Sequence, residues 1–161
     1  YGVFGPESQQ RGDGGFTDFS PRFDPGWSSL TAIQINPFVK FKGLEFFGVF
    51  ETSSNNVDSI GGAVTQLGAE LLYRFGGREQ FYVGGRYNGV TGDLFDAPAG
   101  SQIKTDIEIT RINAGAGWFM TRNMLAKVEY VTNTYGGGAN EGTQFEGGEW
   151  NGVVIEDAIS F

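Results

Sequence analysis

The sequence predicts an all-β protein: a transmembrane antiparallel up-and-down β-barrel, with this chain supplying about the last seven strands. Three observations predict it. Segments of about ten residues alternate apolar and polar side chains with a period of two. The connections between them alternate short and long, as in barrels that cross an outer membrane. Aromatic residues gather on one face of these segments and charges on the other.

The first strand is predicted over residues 31–41, with Ile33, Ile35, Val39 and Phe41 opposed to Gln34, Asn36 and Lys40. Lys42 and Gly43 then form a tight turn. The second strand, residues 44–52, sets Leu44, Phe46 and Phe50 against Glu45 and Glu51. A polar loop with Ser53, Asn55 and Asp58 leads to the third, residues 63–75. There Leu67, Ala69, Leu71, Tyr73 and Phe75 share a face, and Gln66, Glu70 and Arg74 the other. Gly76, Gly77, Arg78 and Glu79 make the next turn. The fourth strand, residues 80–90, opposes Phe81, Val83 and Tyr87 to Gln80, Arg86 and Asn88.

A longer loop carries Asp93, Asp96, Pro98 and Gly100. The fifth strand, residues 106–120, sets Ile112, Ala114, Ala116 and Trp118 against Arg111, Asn113, Gly115 and Gly117. Thr121, Arg122 and Asn123 turn the chain. The sixth, residues 124–134, sets Met124, Ala126, Val128 and Tyr130 against Lys127, Glu129 and Asn133. A glycine-rich loop from Gly136 to Gly148 precedes the last strand, residues 150–161. Two residues break the pattern. Pro37 lacks a ladder donor and predicts a bulge, a bend or a local slip of register. Asp157 falls on the apolar face, where a charge is costly at membrane depth.

Residues 1–30 read as one long extracellular loop, broken by Pro6, Gly12, Gly14, Gly15, Pro21, Pro25 and Gly26. Residues 31–161 read as the C-terminal portion of the barrel. Every short connection falls on the side of the C-terminus, which places Phe161 at the periplasmic rim. An odd strand count does not close a bacterial single-chain barrel, so the chain is expected to be half of a larger barrel or less. The start at Tyr1, with neither an initiator Met nor a signal peptide, suggests a processed or truncated protein.

Composition removes several alternatives. The chain has 161 residues with 27 Gly but no G-X-Y period, which excludes collagen. An aromatic content of 15% argues against a disordered acidic polymer. No run approaches the roughly 20 apolar residues of a membrane helix. Without Cys there is no disulfide scaffold or thiolate metal site. Without His the usual general base, zinc ligand and Ser-His or Cys-His pair are missing. Arg11-Gly12-Asp13 spells an adhesion tripeptide, which in a glycine-rich loop is far more often chance. Gly76-Gly77 and Gly136–Gly138 lack the Lys-Ser/Thr of a phosphate loop. No basic patch with interleaved aromatics suggests nucleic acid, and no spacing matches an EF-hand, so no metal or other cofactor is expected.

What distinguishes a membrane wall from a soluble sandwich is where aromatics and charges sit. Phe41, Phe46, Phe75, Phe81 and Trp118, with Phe161, mark one aromatic belt near the short turns; Phe50, Tyr87 and Tyr130 mark the other. The opposite face carries Lys40, Arg74, Arg86, Arg111 and Lys127 with Glu45, Glu51, Glu70, Glu129 and Glu156. Such charges do not fit the dry centre of a sandwich. They fit a water-filled or plugged lumen, either as pore lining or as a hydrogen-bonded lattice that stiffens the wall. The acidic excess lies in the long loops, at Glu7, Asp13, Asp18, Asp24, Asp58, Asp93, Asp96, Glu141, Glu146 and Glu149. It reads first as a solvated loop surface.

The stretches INPFVKFKGLEFFGVFE, GWFMTRNMLAKVEYV and FEGGEWNGVVIEDAISF resemble the C-terminal strands of porin-like outer-membrane proteins of the Bacteroidota. The resemblance covers most of residues 31–161. Val153, Ile155, Ile159 and Phe161 resemble the signal read by the barrel-assembly machinery; Asp157 departs from it. The resemblance implies the bacterial outer membrane as location. It implies outer-membrane lipid and lipopolysaccharide as surroundings, and a homo-oligomer or envelope complex as a further assembly. Two functions compete: a porin-type channel for small hydrophilic solutes, with the loop of residues 1–30 as constriction, and a non-conducting barrel acting as scaffold or partner subunit. Barrel enzymes lack support here, because a hydrolase site would need an unusual base.

Overall fold

A computed structural model describes residues 29–56, 61–96, 98–99, 102–142 and 146–160. Eight strand segments form one antiparallel sheet: β1 (Leu30–Ile35), β2 (Phe38–Phe41), β3 (Leu44–Asn55), β4 (Ala63–Phe75), β5 (Phe81–Asp93), β6 (Asp106–Thr121), β7 (Met124–Gly136) and β8 (Glu149–Ile159). The sheet order is β1-β3-β4-β5-β6-β7-β8, with β2 also on β3. Each strand therefore pairs with its sequence neighbours, an up-and-down meander. The described strands leave free edges at β1/β2 and at β8, so the sheet is open.

The expected first strand is cut in two at Asn36-Pro37. Register is nevertheless kept: Ile35 faces Phe50 and Phe38 faces Phe47, the same offset on both sides of the proline. Pro37 therefore makes neither a bulge nor a slip. The ladder does shift by one residue in β6, between Phe119 and Thr121, next to a turn.

The short connections lie together at one end. Lys42 and Gly43 take φ values of 46° and 79°, the two left-handed residues of a type I′ hairpin turn. The other short turns lie between Phe75 and Phe81 and between Thr121 and Met124. Ile159 pairs with Met124, so β8 ends at this same end, where Ser160 N donates to Asn123 O at 2.9 Å. Phe161, residues 1–28 of the loop expected over residues 1–30, Asp58 and Gly100 lie outside the described residues, and Leu30, expected in that loop, opens β1 instead.

The two faces differ in burial. The small core of Val64, Val90, Ile107 and Ile109, with Leu94 and Tyr135 packed against it, lies at the long-loop end. It sits on the face that also carries the charges. That face is crowded: the ring of Tyr82 fills the space where a side chain on Gly117 would go. The apolar face is open. Ile155 is 77% exposed, Val153 65% and Phe41 64%.

Candidate functional site

All nine residues expected on the lumen side share one face of the sheet. Register places them in cross-strand rows. Lys40 is opposite Glu45, Glu70 opposite Arg86, and Gly115 opposite Glu129; Glu51, Arg74, Arg111 and Lys127 fall on the same parity. The charges meet in pairs across strands. Glu45 accepts from Lys40 Nζ at 2.8 Å and from Arg74 Nε at 2.8 Å. A second Arg74 nitrogen reaches its other oxygen at 3.4 Å. Arg86 Nε donates to Glu70 at 2.6 Å. Lys127 Nζ lies 2.9 Å from Glu156 and 3.7 Å from Glu129, which also accepts from Asn113 at 3.2 Å. Glu51 accepts the hydroxyl of Ser53 at 3.3 Å, and Arg111 is engaged as well.

These contacts link β2 through β5 and β6 through β8. They form the lattice that alternation alone left open as one of two readings. Register explains it: cross-strand neighbours on one face are about 5 Å apart, within reach of long side chains. Arg74 also stacks over Tyr82 and Phe119, 5.7 and 5.2 Å from the ring centroids. Its charge is thereby held by a carboxylate on one side and two rings on the other.

The long-loop end of this face is different. Val64, Val90, Ile107 and Ile109 carry the parity of the charged residues but are apolar and buried. The expectation of a polar surface along the full strand length fails here. The signal was legible as apolar residues on the polar parity beside the long loops. Gln66 is 1% exposed within this region, and neither amide atom has a hydrogen-bond partner among the described residues.

Described residues of two long loops bond one another and the strand ends beside the cluster, and Leu94 packs against it. Leu94 N donates to Thr105 O at 2.9 Å, and Thr105 Oγ1 bonds to Asp93 at 2.9 Å. Gly138 N donates to Asp106 at 2.9 Å, and Lys104 pairs with Glu141. Glu141, through that hydrogen bond first, holds the Lys104 ammonium above its usual range.

The apolar face carries the expected belts. Tyr73, Phe75, Phe81 and Trp118 form a continuous ladder with centroid spacings of 6.2, 5.7 and 6.0 Å. It crosses β4, β5 and β6 beside the short turns. Phe41 and Phe46 flank it on β2 and β3, while Tyr87 and Tyr130 lie farther from the turns. Val153, Ile155 and Ile159 line the same face of β8 and are exposed. Asp157 stands among them, opposite Ala126, without an ion pair among the described residues.

The border of the apolar face on the long-loop side is oblique. Its last large apolar residues are Ile33, Phe50, Leu67, Tyr87, Ile112, Tyr130 and Val153. The next residue on that face is Thr31, Thr52, Thr65, Gly89, Thr110, Thr132 and Asn151 respectively. Val153 faces Tyr130, but Tyr130 faces Ala114, two residues short of Ile112. Ile112 faces Tyr87, but Tyr87 faces Ala69, two short of Leu67. Leu67 faces Phe50, but Phe50 faces Ile35, two short of Ile33. The border thus slips one residue per strand on average, always in the same direction. With a rise of about 3.3 Å and a strand spacing of about 4.8 Å, that is a slope of about 35°.

No family model matches the chain, and neither a curated protein nor a solved structure shows significant similarity to it.

Proposed function

We propose that this chain is a wall segment of an outer-membrane β-barrel, and that its charged face borders an aqueous lumen passing small hydrophilic solutes. The observation that carries the reading is the oblique apolar band on an exposed face. Strands of membrane barrels tilt about 35–45° from the barrel axis. A band of membrane-facing residues must then cut across the strands at that same angle, and about 35° is the slope of the border. On β4 the band runs from Leu67 to Phe75, eight residues or about 26 Å along the strand. Corrected for tilt it is about 22 Å tall, close to the apolar belt of about 25 Å on such barrels.

A soluble sandwich buries its aliphatic face and exposes its charges. Here the sides are reversed. In this reading the free edges at β1/β2 and β8 are completed by further strands, and the short turns and C-terminus face the periplasm. Val153, Ile155, Ile159 and Phe161 are the recognition strand for the assembly machinery. Lipid and lipopolysaccharide cover the apolar face. The residues before β1 belong to an extracellular loop.

The buried apolar cluster on the charged face favours one second reading, a non-conducting barrel serving as scaffold or partner subunit. Planar-bilayer recording on the intact protein separates the two. Stepwise conductance supports the channel, and a well-inserted but silent protein supports the scaffold.

A further inference from the structure

Nine Lys and Arg residues lie among the described residues. Lys40, Arg74, Arg86, Lys104 and Lys127 each pair with a carboxylate, and Arg111 is engaged on the charged face. The remaining three, Lys42, Arg78 and Arg122, have no carboxylate within ion-pair distance among the described residues. They are exposed, and each sits in a different one of the three short turns. The carboxylate in those turns, Glu79, is engaged by Lys40 at 3.5 Å. The long-loop end is the opposite: Asp93, Asp96, Asp106, Glu108, Glu146 and Glu149 are there, and the single described Lys, Lys104, is paired.

The three free cations border the aromatic ladder. Lys42 Nζ lies 5.2 Å over the ring of Phe41. Arg78 and Arg122 line a cleft of about 1230 Å³ shared with Lys40, Glu45 and Arg74 of the charged face and with Glu79 and Trp118. Cations just beyond an aromatic belt meet a bilayer at the level of its phosphates. None of the three has a carboxylate partner among the described residues, which leaves each free to meet an anion from outside.

We propose that the short-turn rim is a binding surface for anionic phospholipid headgroups, held by Lys42, Arg78 and Arg122. Arg78 and Arg122 each offer a phosphate a guanidinium fork with two donors. Lys42 holds a second as a point charge. The acidic long-loop rim repels the same lipids, so the two ends of the wall prefer different leaflets. This rests on the membrane reading above.

The test uses the intact protein in vesicles and the quenching of its tryptophan fluorescence by lipids brominated in the acyl chains. Brominated phosphatidylglycerol is compared with brominated phosphatidylcholine at equal mole fraction. A basic side chain at an anionic surface is worth about fivefold in association. The wild-type protein is expected to prefer phosphatidylglycerol by about fivefold or more. The K42Q/R78Q/R122Q variant is expected to fall to near equality, while K104Q, which removes one charge at the other end, keeps the preference. If the triple variant does not fold, the wild-type protein in about 1 M salt replaces it. There the screening length is about 3 Å, and the preference must collapse. A preference surviving either treatment, or a wild-type protein quenched equally by both lipids, overturns the inference and leaves the membrane reading intact. No quenching by either lipid overturns the membrane reading itself.

Discussion

Pro37 and Gly48 face one another between β1/β2 and β3, and each makes the other tolerable. Gly48 N donates to Pro37 O at 2.8 Å, but Pro37 has no N–H to return. The Asn36 side-chain amide reaches Gly48 O instead, at 3.4 Å. A Cβ on Gly48 would stand 2.8 Å from Pro37 Cγ. This is why the proline interrupts the strand without shifting its register.

Gly48→Ala is therefore expected to destabilise the sheet by about 1–3 kcal/mol, the usual cost of overpacking. In a Pro37→Ala background the same change should cost much less. Urea unfolding of the four proteins of this cycle gives the coupling. Equal costs in both backgrounds would show that the contact is not responsible.

Glu70 and Arg86 bear on the channel reading. Arg86 is balanced by Glu70 alone among the carboxylates named here. Glu70→Gln leaves a cation on the lumen side, and the reversal potential in a salt gradient should move toward anion selectivity. Arg86→Gln should move it toward cations. A conducting protein whose selectivity ignores both changes would remove this face from the conduction path.

Depth along the apolar band gives a graded test of membrane embedding. Leu71 lies midway between Leu67 and Phe75 on β4; Thr65 lies just outside the band. Leu71→Arg is expected to cost about 2–4 kcal/mol of stability in vesicles and Thr65→Arg about 0–1 kcal/mol. Unfolding in vesicles and in aqueous buffer separates this from packing. Leu71 is 51% exposed, so a lipid-free protein should tolerate either arginine.

Gln66 and Val90 probe the apolar cluster from two directions. Val90 is fully buried, and Val90→Ala removes packing atoms at a cost of about 1–3 kcal/mol. Gln66 buries an amide without a hydrogen-bond partner among the described residues, so Gln66→Met should be neutral or stabilising, by up to about 1–2 kcal/mol. A large loss of stability on Gln66→Met would mean that the amide is satisfied in solution.

Much of the architecture was legible because alternation is a strong signal when the two faces have unlike chemistry. The strand expected over residues 63–75 is found as β4 (Ala63–Phe75), and the expected fifth and sixth strands are extended by one and two residues. The nine charged residues and the belt aromatics separate onto opposite faces as their parity implied. Partnership was not legible. Glu45 stands five residues from Lys40 and 29 from Arg74 in sequence and bonds both. Only the register of β3 against its neighbours decides that. The cluster of Val64, Val90, Ile107 and Ile109 was legible only as scattered apolar residues on a polar parity, because three strands, β4, β5 and β6, must pair before they touch.

The sequence by itself determined which residues are strands, where they turn and which side chains share a face. Those properties follow from local backbone geometry and the two-residue period of a pleated chain. The tertiary structure alone decided which charges neutralise one another and which three cations among the described residues lack a carboxylate partner. It also decided that the apolar border climbs across the sheet by one residue per strand. These depend on hydrogen-bonded register, which couples residues far apart in the chain.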